Sequence, residues 1–151
     1  MTICLKNRAE LFGNIFAGKM NLNDIGRIGQ KIWQQIPQIY SCVNLDEFMF
    51  MPNHMHGIIQ IRLSSLNANA FYATRERLRI LTPNSLPSII NHFKGAVTKE
   101  CKKFSYNFAW QSRFYDHVIR KDDSLDKIRE YIRNNPLKWE MDRNNQENLW
   151  M

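Results

Sequence analysis

The sequence lacks the features that mark several common classes of protein. Its three cysteines, Cys4, Cys42 and Cys101, are far apart and form no Cys-x-x-Cys pair. We therefore expect no zinc ribbon, thioredoxin-like motif or disulfide-stapled fold. No apolar run approaches the roughly 20 residues of a membrane-spanning helix. The first residues also lack the apolar core of a signal peptide, and we expect a cytoplasmic protein.

Acidic side chains are scarce relative to basic ones. The chain of 151 residues has 14 Asp and Glu against 21 Lys and Arg, which gives a formal net charge of +7. A basic excess of this size favours a polyanionic partner such as nucleic acid, although many basic proteins bind none. The hydrophobic fraction of 44% is ordinary for a globular protein. The length suits one domain over residues 1–151.

Hydrophobic periodicity predicts an α+β fold. The order β, helix, β-hairpin, helix, β, helix is the βαββαβ arrangement of a ferredoxin-like (RRM-like) sandwich with an extra C-terminal helix. We expect the helices to cover one face of an antiparallel sheet. The predicted elements are one strand and a possible second, "LFGNIF", within residues 1–17, a helix at 21–37, a hairpin at 40–50 and 54–61, a helix at 85–104, a strand at 113–120 and a helix at 122–135.

Short polar residues mark the starts of the first and last predicted helices. Asn21 or Asn23 is expected to cap the first helix, and Asp122 or Asp123 the last. Residues 62–84 are polar and show no clear period. We expect a loop in that segment.

Two histidines begin the second strand of the predicted hairpin, in "FMFMPNHMHGIIQI". Side chains alternate along a strand, so His54 and His56 project to one face and Met55 to the other. Such a pair is well placed to share a metal ion. Each imidazole could equally bond a backbone carbonyl at the strand end, and the residues alone leave both alternatives open.

The last predicted helix presents a phenol and an amide one turn apart, at Tyr131 and Asn135. Tyr131 could equally be a half-buried aromatic beside Ile128. Asn135 could be an ordinary helix-terminal residue before Pro136. Periodicity alone singles out neither residue.

Taken together, these motifs resemble a known family. The histidine pair around a bulky apolar residue, after "MPN", is similar to the HUH motif of single-strand-DNA transposases, and "YIRNNP" at a helix end strengthens the likeness. The segments "LFGNIFAGKMNLNDIGRIGQKIW", "INHFKGAVTKECKKF" and "WQSRFYDHVIRKDDSLDKIREYIRNNPLKW" extend it over nearly the whole chain. The greatest resemblance is to the REP-associated tyrosine transposases, a one-tyrosine HUH class.

The resemblance implies an activity and a set of site residues. His54 and His56 would bind a divalent metal, with Asn135 as a further ligand, and Tyr131 would be the nucleophile. The tyrosine would attack single-stranded DNA near a hairpin, forming a 5′-phosphotyrosine and releasing a 3′-hydroxyl. Imidazole by itself suits zinc, manganese or nickel better than magnesium, whereas the family likeness favours Mg²⁺ or Mn²⁺. It also implies a nucleoid-associated bacterial protein, as a monomer or homodimer.

We expect basic and aromatic side chains near the site to bind DNA. The lysines of the helix at 85–104 are expected largely off its apolar stripe, although a solvated helix face is the alternative for any one of them. Aromatic rings could stack on unpaired bases. The expected DNA-binding residues are Lys94, Lys99, Lys102, Lys103, Arg113, Arg120, Arg133 and Lys138, and the candidate stacking residues are Phe71, Tyr72, Tyr106 and Trp110.

Two other functions are compatible with a βαββαβ fold. One is a domesticated or non-catalytic protein of the same fold that binds single-stranded nucleic acid, although no RNP-like "GFGFV" stretch is present. The other is a different HUH enzyme, a replication initiator or relaxase, whose chains are usually larger than 151 residues.

Overall fold

An antiparallel sheet lies at the centre of the protein in the computed structural model, which describes residues 1–62, 84–103, 107–120 and 122–141. The helices Asp24–Gln34 and Leu86–Lys102 lie against each other. The strands are β1 (Thr2–Cys4), β2 (Gly13–Phe16), β3 (Lys19–Leu22), β4 (Val43–Phe50) and β5 (His54–Ile61); the helices are α1 (Asp24–Gln34), α2 (Ile36–Ile39), α3 (Leu86–Lys102) and α4 (Asp122–Arg133), with 3₁₀-helices at Lys6–Arg8 and Pro136–Met141.

The main sheet has the order β1-β5-β4, with all neighbours antiparallel. Residues 109–115 extend this order along the outer side of β1. There Thr2 and Tyr115 exchange backbone hydrogen bonds of 2.7 and 2.9 Å. With this irregular fourth strand the order is that of a ferredoxin-like sheet, and the predicted fold class is confirmed.

The fourth strand begins earlier than predicted. Its backbone pairs with Leu5 at Trp110 and with Thr2 of β1 at Tyr115, whereas the sequence predicted a strand at 113–120. The aromatic and β-branched residues that suggested the later segment, Tyr115 and Val118, are 63% and 62% exposed. β-propensity reports side chains that fit a half-buried surface, and here they face solvent instead.

One face of the sheet packs against α1 and α3 through an apolar core. Met55 of β5, Trp33 of α1 and Phe93 of α3 are all buried in it, and the Trp33 and Phe93 rings meet edge to face at 5.2 Å. Gly57 leaves room for this packing, because a Cβ there would lie 2.7 Å from Trp33 Cζ2. This face is therefore closed by large aromatic side chains.

A second, two-stranded sheet precedes α1 and was only half predicted. The strand in "LFGNIF" is present as β2, but Asn21 lies in its partner β3 and not in a helix. Ala17 and Gly18 make the turn with φ of 49° and 70°, the left-handed values of a tight hairpin turn. The cap of α1 is Asn23, whose side chain accepts a hydrogen bond from Gly26 N at 3.0 Å.

Strand β4 contains a bulge. Between Leu45 and Phe48 its pairing with β5 shifts by one residue. Two residues, Asp46 and Glu47, thus stand where β5 has only Ile58. A bulge changes the direction of side chains within a strand, and here the two carboxylates that it carries both reach α4.

Some predictions fall outside the described residues. They concern the loop between residues 62 and 84, the capping side chains at Asp122 or Asp123, and the stacking residues Phe71, Tyr72 and Tyr106. Within the described part of the chain, no helix is both long and apolar enough to cross a membrane.

Candidate metal and tyrosine site

The two histidines are buried together on the sheet face opposite Met55. Their side chains are 0% and 7% exposed, and His54 Nε2 lies 3.1 Å from His56 Nε2. The predicted strand bounds are confirmed, since β5 runs from His54 to Ile61. The alternation of the strand therefore turns both imidazoles toward one point.

The other nitrogen of each ring is held by an oxygen atom. His54 Nδ1 donates to Asn53 Oδ1 at 2.8 Å, and His56 Nδ1 is 2.9 Å from Thr2 Oγ1. Because an amide oxygen only accepts, His54 carries its proton on Nδ1 and, when neutral, has a bare Nε2. Oxygen partners at Nδ1 are the arrangement that orients metal-binding histidines.

The spacing of the two Nε2 atoms fits a shared cation. Nitrogen ligands about 2.1 Å from an ion, at an angle of roughly 90°, lie about 3.0 Å apart. The observed 3.1 Å agrees with that value. It also fits a hydrogen bond between the two rings, in which one Nε2 is protonated.

Asn135 supplies a buried oxygen that suits a further ligand. It is 2% exposed, and in the described part of the chain its Oδ1 has no hydrogen-bond partner. Such an orphaned acceptor costs about 1–3 kcal/mol. No group of three His, Cys, Asp or Glu residues that could hold a metal occurs among the described residues, so any oxygen ligand from the described chain would come from a residue such as Asn135.

Residues on either side of Asn135 contact the histidines. The Tyr131 ring meets the His56 ring at 5.5 Å and 67°, and Trp139 stacks on His54 at 6.1 Å. Tyr131 is 49% exposed. A phenol that touches the histidine pair and also reaches solvent is accessible to a large substrate. The predicted helix places it there, with Ile132 buried below.

Two ion pairs join α4 to the β4 bulge. Arg129 grips both carboxylate oxygens of Asp46, at 2.8 and 2.5 Å, and Arg133 Nε is 2.6 Å from Glu47 Oε2. The hydrogen bond from Arg129 is the largest cause that lowers the pKa of the Asp46 carboxyl. Arg133, predicted to bind DNA, is thus paired with a carboxylate.

The sequence did not predict that Asp46 and Glu47 pair with α4. Nor did it predict that Thr2 and Asn53 contact the Nδ1 atoms of the histidines, or that Trp139 stacks on His54. The bulge left a signal in "VNLDEFMF", because its core-facing residues are spaced two, three and two apart. Regular alternation would give steps of two throughout. The contacts of Thr2 and Trp139 left no local signal, since they join segments distant in sequence.

The position of the Lys94 side chain differs from the one predicted. It was expected off the apolar stripe of its helix, but it is 8% exposed, and its Nζ donates to the carbonyls of Gln111 at 2.8 Å and Arg113 at 3.4 Å. Burial lowers the pKa of this ammonium. Lys94 thus ties α3 to the fourth strand.

The other predicted basic residues are exposed but dispersed. Lys99 and Lys102 line a groove of about 460 Å³ with Trp110, on the helix layer that covers the face opposite the histidines. Lys103 pairs with Glu100 at 2.7 Å. The structure therefore does not bring the α3 lysines beside the histidine pair. Exposed positions elsewhere are Arg113, Arg120 and Lys138.

Comparison with known proteins finds relatives in sequence. No protein-family model matches the chain. An uncharacterized protein of Haemophilus influenzae is 40% identical over 147 residues, which cover 94% of this chain and 81% of that protein. A putative REP-associated tyrosine transposase of the same species is 30% identical over 95 residues, or 58% of this chain and 46% of that protein.

Comparison with solved structures finds the same fold. A REP-associated tyrosine transposase bound to a REP hairpin matches with a TM-score of 0.61 and 19% identity. The match covers 91% of this chain and 64% of that one, so this chain spans a little under two thirds of the solved protein. In fold and in part of its sequence, the chain resembles the REP-associated tyrosine transposases, as its motifs predicted.

Proposed function

We propose that the protein is a transposase that cleaves and rejoins single-stranded DNA near hairpins through a covalent 5′-phosphotyrosine on Tyr131. The observation that carries this proposal is the contact of the half-exposed Tyr131 ring with His56, whose Nε2 converges on that of His54. The kinship to a putative REP-associated tyrosine transposase supports the class of reaction. The solved relative bound to a REP hairpin supports the class of substrate.

His54, His56 and Asn135 would hold a divalent ion, Mg²⁺ or Mn²⁺. Once bound, it would supply Lewis-acid stabilisation of the charge that develops at phosphorus. Asn53 and Thr2 orient the two imidazoles through their Nδ1 atoms. That support fixes the ring planes before substrate arrives, which favours catalysis because little reorganisation is then needed.

Tyr131 performs the covalent step. Its phenol oxygen loses its proton and forms a bond to phosphorus while the bond from phosphorus to the 3′-oxygen breaks, and the 3′-oxygen takes up a proton and leaves as a hydroxyl. The phosphotyrosine ester conserves the energy of the broken phosphodiester bond. A second 3′-hydroxyl can therefore reverse the step and join a new strand. The reaction therefore needs no ATP.

DNA contacts belong to the exposed basic side chains. Lys99, Lys102, Arg113, Arg120 and Lys138 have no ion pair within the described residues, and phosphate contacts from such groups give affinity that falls with salt. We place this activity in the cytoplasm, at the nucleoid, with a monomer or a homodimer as the active form.

A gel assay tests the proposal. The protein is incubated with Mn²⁺ and a panel of single-stranded oligonucleotides that carry a hairpin and a 3′ label, and a covalent adduct is sought under denaturing conditions. We expect an adduct that disappears in Tyr131→Phe while hairpin binding remains. Tyr40→Phe is the control, because the Tyr40 hydroxyl contacts His92 of α3 at 3.0 Å, in the helix layer on the other side of the sheet from the histidine pair.

Each alternative has its own outcome. An adduct that persists in Tyr131→Phe overturns the nucleophile, and full cleavage in excess chelator overturns the metal. Tight hairpin binding by the wild-type protein with no adduct on any oligonucleotide would favour a non-catalytic binding protein. The hydrogen bond that the 3.1 Å spacing also allows between the two rings would fit that outcome.

A further inference from the structure

The two ion pairs between α4 and the β4 bulge flank Tyr131 in the sequence. Arg129 precedes the tyrosine by two residues and Arg133 follows it by two. Arg129 binds Asp46 with a two-pronged fork, and Arg133 binds the neighbouring Glu47. Forked arginine–carboxylate pairs restrict orientation more than single contacts do. Helix α4 is therefore held to β4 by ion pairs at two positions one turn apart.

Helical geometry places the two arginines and the tyrosine on different sides of α4. With 3.6 residues per turn, each residue advances about 100° around the axis, which puts Tyr131 roughly 160° from both arginines. Ile128 and Ile132 lie between them and face inward. The arginines thus occupy the flank of α4 toward β4, while Tyr131 occupies the flank toward the histidines of β5.

The bulge allows both Asp46 and Glu47 to pair with α4. Consecutive side chains of a regular strand point to opposite faces, so one of two adjacent carboxylates would face the apolar core. The extra residue between Leu45 and Phe48 removes that restriction. The side chains of Asp46 and Glu47 are only 27% and 26% exposed, so the two carboxylates are partly shielded from solvent and salt. The Arg133 side chain is itself 61% exposed.

We propose that Asp46 and Glu47 are positioning residues for Tyr131. Acting through Arg129 and Arg133, they fix the rotation of α4 about its own axis and so direct the tyrosine toward the histidine pair. Burial of Ile132 holds α4 against the sheet but is non-directional, whereas a forked arginine–carboxylate pair fixes an orientation. This inference rests on the proposed function of Tyr131.

The first test separates positioning from DNA binding. Asp46→Asn and Glu47→Gln each keep side-chain shape and remove the charge. For Asp46→Asn we expect the rate of adduct formation at saturating hairpin DNA to fall about tenfold, since misplacing a reactive group by about 1 Å can cost up to 100-fold. Hairpin binding should not weaken in either variant, because neither substitution removes a basic side chain that could contact phosphate.

A matched control removes the other partner of the same arginine. Asp126 is 82% exposed and lies 2.8 Å from Arg129 Nη1, so Asp126→Asn should leave the adduct rate unchanged. Exchange of the pair, Asp46→Arg with Arg129→Asp, should restore part of the lost rate. Unfolding temperatures of all variants show whether each one folds.

The second test does not require cleavage. Fluorotyrosine is incorporated at the five tyrosines, and the ¹⁹F resonance of Tyr131 is assigned by its loss in Tyr131→Phe. In Asp46→Asn this resonance should move toward that of a free tyrosine, while Asp126→Asn leaves it in place. If the wild-type protein forms no adduct, the proposed function fails and this resonance alone decides the positioning role. A resonance and a rate unchanged in Asp46→Asn and Glu47→Gln would overturn the proposal.

Discussion

The two faces of the central sheet are built by different interactions, although β5 contributes to both. Met55 and Gly57 face an apolar core closed by Trp33, and His54 and His56 face a polar layer with Tyr131 and Trp139. Burial of apolar surface stabilises at about 25 cal/mol per Å², whereas exposed ion pairs contribute about 0–1 kcal/mol. The core face therefore carries most of the stability, and the polar face is free to carry chemistry.

The largest expected effect lies on the core face. Trp33→Ala should lower the free energy of unfolding by about 3–5 kcal/mol, because it removes a fully buried ring. Tyr131→Ala on the other face should lower it by less than about 1 kcal/mol. Urea denaturation of both variants measures the difference. Equal losses would show that the polar face is also a major source of stability.

Metal binding should stabilise the fold through the residues of the polar face. At a Mn²⁺ concentration 100 times its dissociation constant, wild-type unfolding should cost about 2.7 kcal/mol more, and His56→Ala should lose that gain. His92→Ala is the control, because His92 is exposed and contacts Tyr40 in the helix layer, with its Nδ1 3.0 Å from the Tyr40 hydroxyl. Denaturation with and without Mn²⁺ measures the gain. Its persistence in His56→Ala would place the ion elsewhere.

The smallest expected effect concerns pH. Because Arg129 holds the pKa of Asp46 below its unfolded value, which is about 3.9, the pair stabilises the fold above that pH. Its contribution is lost as pH falls through the lower, folded-state pKa. Between pH 6 and pH 2 the wild-type protein should lose more stability than Asp46→Asn, by less than about 1 kcal/mol since the pair is partly exposed. Parallel losses in thermal unfolding would show that the pair does not contribute to stability.

Much of the fold followed from local patterns. The bounds of β5, the stripe of α3 and the helix that carries Tyr131 were predicted because each has a clear period. The hairpin turn at Ala17 and Gly18 was missed, since "NLND" resembles a helix start whether or not a strand precedes it. Lys94 was misplaced because periodicity cannot show that two carbonyls of a distant segment accept its ammonium protons.

The sequence by itself determined that His54 and His56 share one face, because alternation is a property of any extended strand. It also determined that Tyr131 and Asn135 lie one turn apart near a helix end. Only the tertiary structure decided that the Tyr131 ring meets His56, and that the β4 bulge directs two carboxylates to Arg129 and Arg133. Such contacts join residues more than 70 positions apart, and they form only once the apolar face of the sheet has been covered and the strand register is fixed.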